Sequence, residues 1–424
     1  MEIKDLLAGR EKCECSMEHK CPIDSVVIGE NAIASLPSLT ENKKCILLVA
    51  DNNTYSVCGE EVEARLGDKL GGKIILTRSG VLVPDEVAIA EIESALPEGV
   101  DLLVGVGSGV INDLCKIVSF KAGIRYFIVA TAPSMDGYAS RGSALILDGM
   151  KVTLNANVPE AIIADSRVLA SAPFDMIQAG YGDIIGKYSC LNDWRLSACV
   201  YNEYLCPFVM NATYETVEKT VKLADRIREK DAEAIGALME ALVAVGILMA
   251  YVGSSRPASG SEHHLSHYFE IVGIERGEKY LPHGIDVCFS AIETAKVREK
   301  LLAIDDISAY EYSFDRADYE SNIRRIYGSI ADEVIALQNK MRWYDIDRVS
   351  IYKKKWAEIR EILASAPSSV EMLSLCNRVG LDYTEFTGLY GESKIADALL
   401  YAKDLKDRYT VLWTYFDLKL GRKL

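Results

Sequence analysis

Histidine is scarce in this chain, and its distribution is uneven. The sequence holds 5 histidines, and four of them lie between positions 263 and 283. His263 and His267 are one helical turn apart, so in a helix they share a face. His283 stands between a proline and a glycine, where a helix can begin and the backbone can approach a ligand. Converging neutral imidazoles suit a divalent transition metal, so the spacing predicts a metal site; the alternative is a decorated surface helix.

A carboxylate from an earlier segment is the predicted third ligand. Gly180 and Gly182 precede Asp183 inside a predicted helix. Each helical glycine costs about 1 kcal/mol against alanine, so the pair indicates close approach by another part of the molecule. We expect Asp183 to meet His263 and His283 around one cation. The alternative is a helix-packing glycine pair with an incidental acid.

Two segments at predicted strand ends have the composition of a nucleotide site. The glycine-rich turn at 105–109 opens a helix, so its backbone N–H groups and the helix dipole could bind a phosphate. Its glycine order is not the standard dinucleotide fingerprint. Asp51 could accept hydrogen bonds from an adenosine ribose, or it could cap the next helix. Small hydroxyl residues and an acid at 131–140 could line a nicotinamide.

A second group of candidate metal ligands lies near the N-terminus. Cys13, Cys15, His19 and Cys21 are closely spaced. This pattern could bind zinc, but it lacks the usual pair of cysteines separated by two residues. Unligated thiols are the alternative.

The elements that must position these residues change character along the chain. Apolar strands alternate with helical stretches up to about residue 171, which predicts a parallel Rossmann-like sheet in an α/β domain. Residues 144–147 and 152–154 predict a β-hairpin around Asp148 and Gly149. From 172 onward the pattern is helical, with main helices at about 174–199, 212–229, 231–252, 284–301, 316–341 and 345–364. We therefore predict a nucleotide-binding domain at 1–171, an all-α domain at 172–424 and an active site in the cleft between them.

Composition limits the class of protein. The hydrophobic content of 49% is ordinary for a globular protein, and a net charge of −15 argues against a nucleic-acid backbone as ligand. No signal peptide is apparent, and no segment is predicted to span a membrane. The 11 cysteines are scattered, which favours reduced thiols and a cytoplasmic protein.

Five motifs in order resemble the sn-glycerol-1-phosphate dehydrogenase family of the iron-containing alcohol dehydrogenase superfamily. They are Gly-x-Gly-Ser-Gly-x3-Asp-x2-Lys at 105–116, Thr-Ala-Pro-Ser-x-Asp-Gly-x2-Ser at 131–140, Gly-Tyr-Gly-Asp-x2-Gly-Lys at 180–187, Ser-Arg-Pro-Ala-Ser-Gly-Ser-Glu-His-His at 255–264 and Pro-His-Gly at 282–284. The resemblance covers nearly the whole chain.

The resemblance implies a role for particular residues. Asp183, His263 and His283 would hold zinc or nickel, with iron a further choice, and Asp136, Asp183 and His267 would contact the substrate. Contacts to NAD or NADP are implied for Asp51, Gly109, Val110, Ile111, Asn112, Asp113, Thr131, Ala132, Pro133, Ser134 and Ser140. Arg256 and Lys187 are hypothetical ligands of a substrate phosphate, chosen for their charge; a surface arginine that holds its own loop is the alternative for Arg256.

The implied reaction is the reversible reduction of dihydroxyacetone phosphate, a small phosphorylated triose, by NAD(P)H in a homodimeric enzyme. The metal would act as a Lewis acid on the ketone oxygen. A glycerol or other polyol dehydrogenase is the nearest alternative, and a cyclase like dehydroquinate synthase is another. A non-catalytic nucleotide-binding protein is a third, against which the intact ligand residues weigh.

Overall fold

The computed structural model describes residues 2–147 and 150–421, with the side chains of residues 150 and 151 excepted. Two compact units are present. The first comprises Met1–Ile184 and Glu218–Ser254, and the second comprises Ile185–Val217 and Ser255–Leu424.

The first unit is built on a parallel sheet, as predicted. Six strands lie in the order β1-β8-β5-β4-β2-β3, and all of their pairings are parallel. A separate antiparallel pair, β6 and β7, forms the predicted hairpin; its Asp148–Gly149 turn lies outside the described residues. The strand bounds are β1 Ser25–Gly29, β2 Ile46–Asp51, β3 Leu70–Leu76, β4 Leu102–Gly107, β5 Arg125–Ala130, β6 Gly142–Leu147, β7 Met150–Asn155 and β8 Ala161–Asp165.

The central strands are apolar along their length because helices cover the sheet. In β2 and β4 every residue from Ile46 to Ala50 and from Leu102 to Gly107 is buried. Continuous apolar runs of this kind are typical of parallel strands that are covered on both faces. Their carboxyl ends therefore form the one edge of the sheet where polar residues can meet a ligand.

Helices make up most of the remaining chain. Gly328, at a positive φ of 53°, ends a helix that the sequence pattern had joined to the next one. The α-helix bounds are α1 Ile3–Leu7, α2 Leu36–Leu39, α3 Asn52–Thr54, α4 Glu60–Leu66, α5 Glu86–Ser94, α6 Gly109–Ala122, α7 Ser166–Ser171, α8 Phe174–Tyr201, α9 Pro207–Lys222, α10 Ala224–Arg228, α11 Ala232–Val252, α12 Ser261–Arg276, α13 His283–Leu302, α14 Arg316–Tyr327, α15 Ala331–Met341, α16 Arg348–Ala364, α17 Ser369–Arg378, α18 Tyr383–Tyr401 and α19 Val411–Asp417.

Helix α11 is part of the first unit, whereas the predicted boundary at residues 171/172 groups it with the later helices. It packs against α7, β1 and β8 of the first unit. The physical reason is its nearly all-apolar sequence, which is buried on most sides. By length and composition α11 could also cross a membrane, contrary to the sequence expectation. Since most of it is buried within the protein, we interpret it as a core helix.

The second unit contains a disulfide between Cys288 of α13 and Cys376 of α17. The sequence had been interpreted as having only reduced thiols. Both cysteines are buried, and they lie 88 residues apart, a separation that gives no indication that they are neighbours.

Candidate active site

Three imidazoles come together in the second unit. His263 and His267 lie on α12, and His283 is the first residue of α13, as its Pro-Gly context predicts. The ring centroids are 5.1 Å apart for His263 and His283, 5.4 Å for His267 and His283, and 6.2 Å for His263 and His267. A ligand nitrogen of His263 and one of His283 lie within 4.8 Å of each other. Two nitrogens this close can share one cation.

Glu262, to which the sequence assigned no role, orients His263. Its Oε1 atom lies 2.7 Å from Nδ1 of His263 and accepts a hydrogen bond of 2.9 Å from Gly260 N. The Glu262 side chain is fully buried. A carboxylate on Nδ1 fixes the tautomer that presents Nε2 as the ligand atom. Metal-binding histidines usually have such a hydrogen-bond partner on the ring nitrogen that does not contact the metal.

His283 is held in a similar way. Its Nδ1 atom lies 3.2 Å from the hydroxyl of Ser266, which is one turn along α12 from His263. The turn before His283 is held by Tyr390, whose hydroxyl accepts from Leu281 N and donates to the carboxylate of Asp286. Burial raises the pKa of Asp286 well above its usual value. Both imidazoles therefore have defined ring orientations before any ligand arrives.

The start of α12 is fixed by the buried carboxylate of Asp193 on α8. Its oxygens accept hydrogen bonds of 2.6 Å from Ser261 N and 2.7 Å from Val411 N, at the first residues of α12 and α19. A Cβ on Gly260 would lie 2.6 Å from Cys190 Cα, so only glycine permits this approach. Burial, and then the charge of Glu262, raise the pKa of Asp193 to about 6.

His264 points away from this chemistry. Its side chain is fully buried, and neither ring nitrogen has a hydrogen-bond partner among the described residues. Burial, followed by the charge of Arg408, lowers its pKa well below the usual value. His264 is thus a neutral core residue, in agreement with its interpretation as a neighbour of the site.

In the first unit, the predicted cofactor segments meet at one edge of the sheet. Strand β4 lies between β2 and β5 in the sheet. Asp51, the glycine-rich turn and the 131–134 segment therefore lie at the ends of three consecutive strands. Thr131 N donates to Gly107 O at 3.1 Å, which joins two of the segments. The turn leads into α6 at Gly109, as predicted, and thereby directs a helix N-terminus at this edge.

Lys116 holds this edge together and was not assigned a role from the sequence. Its fully buried ammonium donates to the carbonyls of Gly137 at 2.7 Å and Gly142 at 2.9 Å and to the carboxylate of Asp113 at 3.2 Å. It also lies 3.5 Å from the hydroxyl of Ser140. Lys116 thus attaches the 137–142 segment to α6. The lysine at the end of the first motif was the only sequence signal.

Two of the predicted cofactor residues have structural contacts of their own. Asn112 is fully buried, and its side chain contacts Tyr126 and Gly137 rather than the strand ends. The carboxylate of Asp51 accepts from Thr54 N at 2.9 Å and caps α3, which was the alternative given for it. Whether either residue also contacts a dinucleotide stays a prediction.

Asp183 and Asp136, both expected at the substrate, are in contact. The buried carboxylate of Asp183 accepts a 2.9 Å hydrogen bond from Asp136 N and so fixes the start of the 3₁₀ turn Asp136–Ala139. One turn earlier, a Cβ on Gly180 would lie 1.8 Å from Pro133 O. The predicted close approach to this glycine is therefore real, and its partner is the backbone of the 131–134 segment.

The two predicted phosphate ligands are both buried. Arg256 donates through Nε to Glu203 at 2.7 Å, through one terminal nitrogen to Tyr409 O at 2.9 Å and through the other to Ser197 at 3.1 Å. These contacts favour the alternative, in which Arg256 holds its own loop, although it is a buried residue and not a surface one. Lys187 is also fully buried, and its contact with a phosphate stays a prediction.

Comparison with known proteins bears on this arrangement. Residues 27–173 match the family model for iron-containing alcohol dehydrogenases. The chain is 31% identical to the glycerol-1-phosphate dehydrogenase [NAD(P)+] of Geobacillus stearothermophilus, over 89% of this chain and 88% of that protein. It is 30% identical to the enzyme of the same name from Bacillus licheniformis, over 94% of this chain and 90% of that protein.

The fold is also that of known structures. An iron-containing alcohol dehydrogenase from Thermococcus thioreducens superimposes with a TM-score of 0.61 at 14% identity, covering 94% of this chain and 99% of the other. At this identity the similarity concerns the fold: a parallel sheet followed by a helical part.

Proposed function

Because this chain belongs to the glycerol-1-phosphate dehydrogenase family, we propose that it catalyses the reversible NAD(P)-linked reduction of dihydroxyacetone phosphate to sn-glycerol 1-phosphate. The observation that supports this most directly is the cluster of His263, His267 and His283, with Glu262 behind His263. Such a cluster has the donor atoms and the second-shell support that a catalytic metal requires.

The proposed metal ligands are Asp183, His263 and His283, the set that the family resemblance implies. Gly186 is three residues after Asp183 and on the same face of α8. A Cβ at Gly186 would lie 2.5 Å from Val287 and 3.4 Å from Glu262, so this face is directed at α13 and α12. When bound, a divalent zinc, nickel or iron ion supplies a Lewis acid for the substrate carbonyl.

His267 and Asp136 are proposed to act on the substrate directly. Reduction of a ketone converts its oxygen into a hydroxyl group, which has to receive a proton. A ring nitrogen of His267, one turn from His263, is placed to hold that proton or to orient a substrate hydroxyl. Asp136 is positioned by Asp183 through its backbone, so the two acids act as one positioning element.

The dinucleotide is proposed to lie across the carboxyl ends of β2, β4 and β5. The N-terminus of α6, from Gly109 to Asp113, would receive the pyrophosphate, while Thr131–Ser134 and Ser140 would line the nicotinamide half. Asp51 lies at the end of β2, where a carboxylate repels the 2′-phosphate of NADP. We therefore expect a higher kcat/KM with NADH than with NADPH.

The substrate phosphate needs a cation, and Lys187 is our remaining candidate. It lies one turn after Asp183 on α8, so the two side chains project from the same face. The expected effect of Lys187→Met is a higher KM for dihydroxyacetone phosphate with little change in KM for NADH. Equal changes in both KM values would contradict this assignment.

A comparison of substrates tests the proposed function. The kcat/KM measured by NADH oxidation should be at least about 100-fold higher with dihydroxyacetone phosphate than with dihydroxyacetone, since recognition of a charged group is worth several kcal/mol. Preference for the unphosphorylated ketone would indicate a polyol dehydrogenase. Recycling of the dinucleotide without net NADH loss would indicate a cyclase.

We also propose that the enzyme is a homodimer, as the family resemblance implies, and that it is cytoplasmic. Light scattering on the purified protein measures its mass in solution. A mass of twice 46.8 kDa is expected, and a mass equal to that of one chain would contradict the proposal.

A further inference from the structure

A second group of potential metal ligands lies in the first unit and is not used in the proposed reaction. The ligand atoms of Cys13, Cys15 and His19 lie within 4.8 Å of one another. Cys15 Sγ is 3.3 Å from Nε2 of His19. Arg10 and His19 exchange two backbone hydrogen bonds of 2.8 and 2.9 Å, which close the segment between them into a loop. Two thiols and an imidazole on a short closed loop have the softness and spacing that zinc requires.

The orientation of His19 is an independent indication of a metal. Its ring is 1% exposed and stacks on Tyr251 at 5.2 Å. Its Nδ1 atom lies 2.9 Å from the carbonyl oxygen of Tyr251, in the last turn of α11, where carbonyls lack partners within the helix. An imidazole whose Nδ1–H donates to a carbonyl presents the lone pair of Nε2 on the other side. In a metal-bound histidine, one ring nitrogen binds the metal and the other donates a hydrogen bond in this way. Here Nε2 points at the Cys15 thiol.

We propose that Cys13, Cys15 and His19 bind a structural zinc ion. Cys21, the fourth residue of the sequence pattern, is not one of the group; its thiol donates to Ile23 O at 3.8 Å. Two thiolates and one imidazole supply three of the four ligands of a tetrahedral zinc ion.

The site would fasten the N-terminal segment to the end of α11. Tyr251 already joins the two, because its hydroxyl donates to Leu6 O and its carbonyl contacts His19. Leu6 is the buried residue of α1. Zinc bound to the 13–19 loop would add covalent ligation to these hydrogen bonds. Binding energy of this kind becomes folding energy, so removal of the ion should lower the melting temperature.

The test uses the full chain with His263→Ala and His283→Ala, which removes the proposed catalytic metal and leaves the N-terminal group intact. About one zinc per chain is expected after purification. Replacement by cobalt should give the near-ultraviolet absorption band of cobalt–thiolate bonds, which nitrogen and oxygen ligands do not produce. Cys13→Ser and Cys15→Ser should each lower zinc affinity at least about 10-fold, and the matched control Cys21→Ser should not.

The possible results separate clearly. Absence of both zinc and the thiolate band in the double-histidine variant would overturn the proposal, whatever the variants of the cysteines do. Loss of the band in Cys21→Ser, with retention in Cys15→Ser, would overturn the ligand set. Neither result depends on activity, so failure of this site and failure of the proposed function are distinguishable.

Discussion

Nδ1 of His263 lies 2.7 Å from Oε1 of Glu262, the residue immediately before it on α12. Neighbours in sequence project about 100° apart on a helix, so this contact requires the Glu262 side chain to fold back along the first turn. The same Oε1 atom also accepts from Gly260 N. The arrangement ties the orientation of a proposed metal ligand to the loop that starts its helix.

Glu262→Gln is therefore expected to weaken the metal site without abolishing the fold. An amide oxygen can still accept a hydrogen bond, but it no longer raises the basicity of the imidazole, so metal affinity should fall about 10–100-fold. Competition with a chelator, followed by metal analysis, measures this. Glu270→Gln, two turns further along α12, is the matched control and should leave the affinity unchanged. Equal metal affinities in wild type and Glu262→Gln would contradict the proposal that Glu262 strengthens metal binding by His263.

His267→Ala separates metal binding from substrate contact. We expect the variant to keep its metal, because His267 is not one of the proposed ligands, and to lose about 100-fold in kcat, the contribution of one proton-holding group. His283→Ala should lose both metal and activity. Measurements of metal content and kcat on the two variants distinguish a metal ligand from a residue that contacts only the substrate. If His267→Ala released the metal, the division of roles among the three histidines would be wrong.

Gly180→Ala should displace the 131–134 segment, which is proposed to line the nicotinamide. The new Cβ would lie 1.8 Å from Pro133 O, a backbone atom that cannot rotate away. We expect a loss of about 3 kcal/mol in the free energy of unfolding and a higher KM for NADH. Gly388→Ala, in α18 with open space around it, is the control and should be neutral or stabilising by about 0.5–1 kcal/mol. Similar stabilities for the two variants would contradict the predicted clash.

Arg256→Ala tests whether this arginine is structural. Removal of the guanidinium leaves Glu203 without its ion-pair partner and the Tyr409 carbonyl without its donor, at a cost of about 2–4 kcal/mol, allowing for the partial exposure of Glu203. Denaturant unfolding measures this cost. A variant of unchanged stability that only raises the KM for dihydroxyacetone phosphate would restore the phosphate role.

The buried Asp193 carboxylate should make stability depend on pH. Its pKa is raised to about 6 in the folded protein, so between pH 4 and 6 the folded state binds more protons than the unfolded state. The contribution of Asp193 to the free energy of unfolding is then highest below this pH range, and it falls as pH rises through 6. Asn at this position cannot ionise. Relative to Asp193→Asn, the wild type should therefore lose up to about 3 kcal/mol between pH 4 and 8, as measured by urea unfolding. A constant difference across this range would contradict the shifted pKa.

The sequence predicted the elements well because strands and helices have different apolar periods. The apolar pattern predicts the parallel sheet, the hairpin strands and the helix that begins at His283, and the structure contains all three. The pattern does not predict that α11 packs with the sheet, since an apolar helix can be buried against any apolar surface.

Polar residues inside the protein were the hardest to interpret. Lys116 and Arg256 both look like residues for a charged ligand, yet both are buried and bound to backbone carbonyls. Glu262 looks like an ordinary first-turn acid. What distinguishes these residues is the identity of their hydrogen-bond partners, and those partners are distant in sequence or depend on side-chain rotamers. The periodicity of apolar residues carries no information on distant partners or on side-chain rotamers.

Metal reconstitution tests the central proposal most directly. Wild type and Asp183→Asn are stripped of metal, resupplied with zinc or nickel, and assayed for NADH oxidation with dihydroxyacetone phosphate, followed by chiral analysis of the product. We predict that stripping abolishes the activity, that either ion restores it in the wild type with sn-glycerol 1-phosphate as product, and that neither restores it in Asp183→Asn. Full activity in the stripped wild type, or in the reconstituted variant, would contradict it.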